Sequence, residues 1–148
     1  MSLREYEFFH GVAIARLLSI ATTLEVTRRD DIGTGCYALN RAIGVIIKYA
    51  TARLTPWSFT FQAAHKGALC KLAAIYPQLL VLLVCNDDGI VALDYASALL
   101  LVGSGAGNAS ISVFRRPREM YSVSGTFGKL PRKLGDIEYA RQLLTPSP

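Results

Sequence analysis

The chain has 148 residues, with 16 Lys and Arg against 11 Asp and Glu and a formal charge of +5. Apolar residues make up 51% and charged residues 18%, which excludes an intrinsically disordered chain and suits one domain, 1–148, with a continuous core. So modest a charge permits a phosphate-bearing partner without requiring one.

Residues 3–20 read as a helix, with Tyr6, Phe9, Ala13, Leu17 and Ile20 at helical spacing. Phe8, Val12 and Ala15 make the opposite side apolar too, so the helix is expected to be well covered. Residues 28–35, RRDDIGTG, read as a loop. Ile43 to Tyr49 is apolar on both faces, as in a central strand. From Pro56 the pattern alternates, with Trp57, Phe59 and Phe61 on one face and Ser58, Thr60 and Gln62 on the other. A second helix is expected over 63–76, ended by Pro77, and then a buried strand from Leu79 to Cys85.

Asn86-Asp87-Asp88-Gly89 reads as a two-residue hairpin turn, since Asp-Gly tolerates positive φ. It leads into a strand over Ile90–Leu93. Asp94 then caps a short helix, Tyr95 to Val102, that Gly103 ends. Residues 103–109 form a connection, two strands follow near Ile111-Val113 and Tyr121-Val123, and a basic tail carries a short helix at 136–144. The fold class is α/β in the α+β sense: a mixed, largely antiparallel central sheet flanked by helices.

The most apolar region, 79–102, is interrupted by the 86–89 turn and by Asp94. Neither half approaches the roughly 20 apolar residues needed to span a bilayer, so no membrane partner is expected. Glu5 and Glu7 precede any apolar run, unlike a signal peptide, and a cytoplasmic location is the expectation. Cys36, Cys70 and Cys85 show no metal-ligand spacing, and Cys70 and Cys85 read as buried thiols. Neither a metal site nor a cofactor is indicated. His10 and His65 each stand on a helix with no Ser or Cys beside them in a nucleophile motif. The glycines of 103–108 follow a helix and precede a strand, the reverse of a phosphate loop.

Ile46 and Lys48 share a strand face two residues apart, Asn40 lies upstream, and a helix carrying Glu7 comes first. This layout over about 3–85 resembles the core of the PD-(D/E)xK nuclease superfamily. The resemblance implies an αβββαβ core in which Glu7 matches the helix acid, Asn40 the strand Asp, and Ile46 with Lys48 the Glu-x-Lys pair. Asn40 and Ile46 lack the carboxylates that hold a catalytic divalent cation, so it further implies an inactivated relative. An active metal-dependent nuclease would require acids from elsewhere, and Glu25, Asp30 and Asp31 are those nearby. Read from the residues alone, Glu7 either pairs with Lys48 or an arginine, or stands half-exposed at the helix edge. Lys48 best suits the end of a strand, reaching solvent.

A second candidate lies further on. Arg115, Arg116, Arg118, Lys129, Arg132 and Lys133 are opposed only by Glu119 and interleaved with Tyr121 and Phe127. Guanidinium groups neutralise phosphates and rings stack on bases, so this segment suits nucleic acid. It suits still better an ordinary solvated hairpin whose charged edges discourage pairing with other chains. The alternative to a nucleic-acid contact is a protein-interaction module, a homodimer in the first instance, given so apolar a small chain.

Overall fold

The computed structural model describes residues 2–145. Helix α1 (Glu5–Ile20) is followed by a meander of β1 (Val26–Arg28), β2 (Cys36–Leu39) and β3 (Ile43–Ala50). Next come β4 (Trp57–Phe61), α2 (Ala63–Ile75), β5 (Gln78–Cys85), β6 (Gly89–Leu93) and α3 (Tyr95–Val102). The last described elements are β7 (Ala109–Phe114), β8 (Ser122–Gly125) and α4 (Glu138–Leu144).

The strands divide between two sheets, ordered β1-β2-β3-β5-β6 and β4-β7-β8. Among the described strands only β3 and β5 run parallel, joined by the crossover through β4 and α2, so the mixed, mostly antiparallel class read from the sequence holds. The parallel pair is central and covered on both faces, and nearly every residue of β5 is buried. Alternation in β4 sends Trp57, Phe59 and Phe61 inward and leaves Ser58 and Thr60 exposed, because only one face of the smaller sheet meets the core.

Two apolar cores result. On one face of the larger sheet, Val45, Ile47, Leu80 and Leu82 pack with Ala13 and Leu17 of α1 and Ala140 of α4. On the other, Ile46, Val81 and Leu83 meet Leu69 and Leu72 of α2, Leu101 of α3, and the inner face of β4, β7 and β8. At ~1.5–3 kcal/mol for each fully buried large apolar side chain, these two layers dominate the folding energy.

Several expectations are corrected. Helix α1 is covered on one side only, since the sheet and α4 reach just its Ala13–Leu17 face. Phe8 stays 56% exposed and Val12 45% exposed on the other. Residues 26–28 and 36–39 are strands, joined to the sheet through a tight turn with Asn40 and Arg41 at positive φ. The β5–β6 turn has three residues, because Cys85 pairs with Gly89, and positive φ falls on Asn86 rather than on the Asp-Gly pair. Cys70 is exposed beside the Tyr95 hydroxyl, whereas Cys36 and Cys85 are buried and all three thiols are free. Asp94 does cap α3, accepting the Ser97 N–H at 2.8 Å, and Gly103 ends it at a positive φ of 72°. No helix among the described residues is long and apolar enough to cross a membrane.

Candidate nucleic-acid interface

Lys48 lies near the end of β3, on the face that looks toward α2 and β4. Its ammonium nitrogen sits 3.3 Å from Nδ1 and 3.4 Å from Nε2 of His65, and 4.9 Å from the centroid of the Phe61 ring. Nδ1 already accepts the Gln62 N–H at 3.0 Å, closing the N-terminal turn of α2. The ammonium is therefore held by a ring face and an imidazole, with no carboxylate of the described residues in hydrogen-bond range. Burial pushes the Lys48 amine down to about 8 and holds the His65 ring below its usual value, with the Lys48 charge adding to the effect on His65.

The other residues aligned with the nuclease pattern are dispersed. Ile46 shares the Lys48 face but is buried in the core with Leu72. Glu7 is exposed on α1, and its Oε1 accepts the Arg4 backbone N–H at 2.9 Å. That helix packs on the sheet face carrying Val45 and Ile47, opposite to Lys48, so a Glu7–Lys48 pair is excluded by the pleat. Asn40 occupies the β2–β3 turn, where its side-chain carbonyl accepts the Glu25 N–H at 3.0 Å. Glu25 binds Arg41, Asp30 binds Arg28 and Asp31 binds Arg29. Among the described residues no three His, Cys, Asp or Glu side chains converge as metal ligands would.

The basic segment sorts into two groups. Arg115 forks onto Asp88 at 2.6 and 3.0 Å, and Asp88 also accepts the Tyr121 hydroxyl at 2.6 Å. The Arg115 guanidinium and the Tyr121 hydroxyl hold the Asp88 carboxyl below its ordinary range, while burial and Asp88 push Tyr121 upward. Arg132 pairs with Glu138, and Lys133 with Glu119 at 3.2 Å. Arg116, Arg118 and Lys129 are exposed and form no ion pair among the described residues.

Arg116 and Arg118 flank Pro117 in a turn closed by a Glu119 N–H to Arg116 carbonyl bond of 3.0 Å. Arg118 sits third in that turn at a positive φ of 69°, a position that favours glycine, with proline before it as in a type II turn. Lys129 lies on the return stretch 129–134, which pairs with the free edge of β8 through the Ser124–Lys129 and Tyr121–Leu134 bridges. A shallow groove of about 150 Å³ runs between Ser122 and that stretch, lined by Lys129, Leu130, Pro131, Arg132 and Lys133.

The interleaved aromatics do not form a stacking platform. Tyr121 is 3% exposed, and its hydroxyl is committed to Asp88. Phe127 is largely exposed, but the Lys66 ammonium lies 5.5 Å from its centroid and the ring presses on Gly103. The Asp88 partnership was missed from sequence, since Asp88 and Arg115 stand 27 residues apart and nothing local couples them. His65 as the neighbour of Lys48 was missed for the same reason. Comparison with family models, curated proteins and solved structures gives no significant match.

Proposed function

We propose that this domain contacts nucleic acid through Arg116, Arg118 and Lys129, in a sequence-independent way and without cleaving it. The observation that carries the proposal is the division of labour in the basic segment. Its acid-paired members fix the scaffold, and the three cations unpaired among the described residues face solvent, with Lys129 on the lining of a groove. With the rings withdrawn, attraction comes from phosphate neutralisation rather than base stacking. The non-cleaving half of the proposal rests on the surroundings of Lys48, where β3 presents Ile46 instead of an acid.

Anisotropy titrations of labelled duplex and single-stranded DNA across a salt series test this. Three phosphate contacts give a log–log salt slope of about 2 to 3 in magnitude, similar for unrelated sequences. Charge reversal at Arg116, Arg118 and Lys129 together should remove most of that slope. Salt-insensitive binding, or none at low salt, defeats the proposal, and plasmid nicking with Mg²⁺ or Mn²⁺ defeats its non-catalytic half.

A second reading rests on α1. Phe8, Val12 and Ala15 line one exposed stripe with Leu18 at its flank, an apolar face that two copies of the chain would bury by pairing. Light scattering on the native chain and on Phe8→Glu/Val12→Glu separates the readings. A dimer that the double variant dissolves supports it, and a monomer at high concentration removes it.

A further inference from the structure

Where the start of α1 meets the loop between β1 and β2, the surface opens into a cleft of about 220 Å³. Its floor is His10, 5% exposed, whose Nδ1 lies 3.0 Å from the Tyr37 hydroxyl. The second ring nitrogen, Nε2, makes no hydrogen bond within the described protein, yet it is not sealed off, since no buried side-chain polar atom lacks a partner. It therefore opens on the cleft.

Gly35 keeps that nitrogen accessible. A side chain at this position would begin 2.8 Å from the Ile47 carbonyl oxygen and 3.3 Å from Cε1 of His10, and its φ of +82° suits glycine. Tyr6 packs on the imidazole with ring centroids 5.3 Å apart, so the wall is aromatic. Arg4 and Arg28 stand at the rim, and the one lining acid, Asp30, binds a single guanidinium nitrogen of Arg28 at 2.7 Å, which leaves the rim net positive and Arg28 with further N–H donors.

We propose that this cleft binds a small organic oxyanion, with the His10–Tyr37 pair as its floor and Arg4 and Arg28 as its charged rim. The chemistry follows from the donors. A protonated Tyr37 hydroxyl donating to Nδ1 leaves Nε2–H as a donor aimed into the cleft, and two guanidiniums supply fork-shaped donors above it. An anionic head meets all three, while its apolar body lies against Tyr6 and Tyr37. The volume is below the roughly 300–1,000 Å³ of sites for drug-sized ligands, so the occupant is smaller than a nucleotide. This site stands apart from the basic segment and does not depend on the nucleic-acid reading.

The test follows the ring resonances of His10 by NMR in the native chain, titrated with inorganic phosphate and separately with benzoate at constant ionic strength. His65 serves as an internal control that should not move. A saturable millimolar shift with phosphate alone assigns a phosphoryl group, with benzoate alone an aromatic carboxylate, and with both a general oxyanion site. Arg4→Gln with Arg28→Gln should weaken the binding by about tenfold or more. Lys71→Gln with Arg141→Gln, which removes equal charge elsewhere, should leave it unchanged. These rim residues are exposed, so an unaltered amide spectrum verifies that the fold survives. The absence of a saturable His10 shift with either probe overturns the proposal, as does equal binding by the Arg4/Arg28 variant.

Discussion

Around Asp88 the polar side chains close on one another, whereas one residue past Arg115 they stand open. Asp88 takes the Arg115 fork and the Tyr121 hydroxyl, and the Arg115 guanidinium also lies 5.6 Å from the Tyr121 ring centroid. Next to this, Asp136 accepts the Ile90 N–H at 2.8 Å and pairs with Arg16 from α1. The network ties the β5–β6 turn, the start of β8, the tail and the first helix to one another. In the turn that follows, Arg116 and Arg118 carry the same charge, exposed and with no acid partner among the described residues. Identical chemistry thus serves folding where partners converge and remains free for recognition where they do not.

The closed region should break most readily at its glycine. A Cβ on Gly89 would lie 2.3 Å from the Tyr121 hydroxyl and 2.9 Å from Oδ1 of Asp136, so Gly89→Ala must push both groups aside. Urea unfolding should show a loss of about 3 kcal/mol. A wild-type midpoint would mean that the network yields at little cost. Next in size is the pair of neighbouring arginines. Arg115→Ala removes two hydrogen bonds to a part-buried carboxylate and should cost about 2 kcal/mol. Arg116→Ala should stay within about 0.5 kcal/mol while weakening nucleic-acid binding. Equal stability effects at the two positions would erase the distinction.

The sequence displayed this contrast only in part. Periodicity exposed α1, α2 and the apolar run of β5, because each buries a stripe or a whole strand whose pattern is local. Asp94 and Gly103 announced the ends of α3 for a similar reason: caps are short-range. By contrast, Val26–Arg28 is an edge strand exposed at all three positions, so it carries no alternation. Cys36–Leu39 depends on a turn built from Asn40 and Arg41, without the glycine that usually marks one. Nothing in the chain order tells that β4 leaves its neighbour β3 to pair with β7, Trp57 opposite Val113. The basic cluster was plain as composition. Which of its members are spent on acids was not, since Asp88 and Glu138 reach them only through the fold.

Lys48 offers a smaller, pH-dependent sharpening. Its amine is pushed down to about 8 in the folded chain from 10.5, so the folded state sheds this proton first. The unfolded chain binds more protons between those values, and this residue's contribution makes stability rise with pH across that window. Cys36 and Cys85, pushed up by burial to about 11 and about 12, act in the opposite direction at alkaline pH, so the wild-type curve alone mixes signs. The difference between wild type and Lys48→Met isolates the lysine. Discounted for the solvent screening of a partly exposed amine, the variant should be more stable at neutral pH by an amount on the order of 1 kcal/mol, an advantage that fades as pH rises through 8 to 10.5. The His65 ring, relieved of the neighbouring charge, should titrate higher in the variant. A constant difference across the window would show that Lys48 keeps its proton in the folded state.

The smallest effect bears most directly on the open region. Arg118 holds a positive φ of 69°, in the left-handed region where a side chain costs roughly 1 kcal/mol and glycine costs nothing. Glycine also gains freedom in the unfolded chain, which offsets part of the relief. Arg118→Gly should therefore stabilise the protein by about 0.5 kcal/mol while removing one of three phosphate contacts, so the salt slope falls by about 1. A turn selected for stability alone would have no use for arginine at that position. Opposite signs for folding and binding in one variant would tie the strain to recognition. If Arg118→Gly gained stability and left nucleic-acid affinity untouched, the arginine would be decoration on the turn, and the interface would have to be drawn around Arg116 and Lys129 instead.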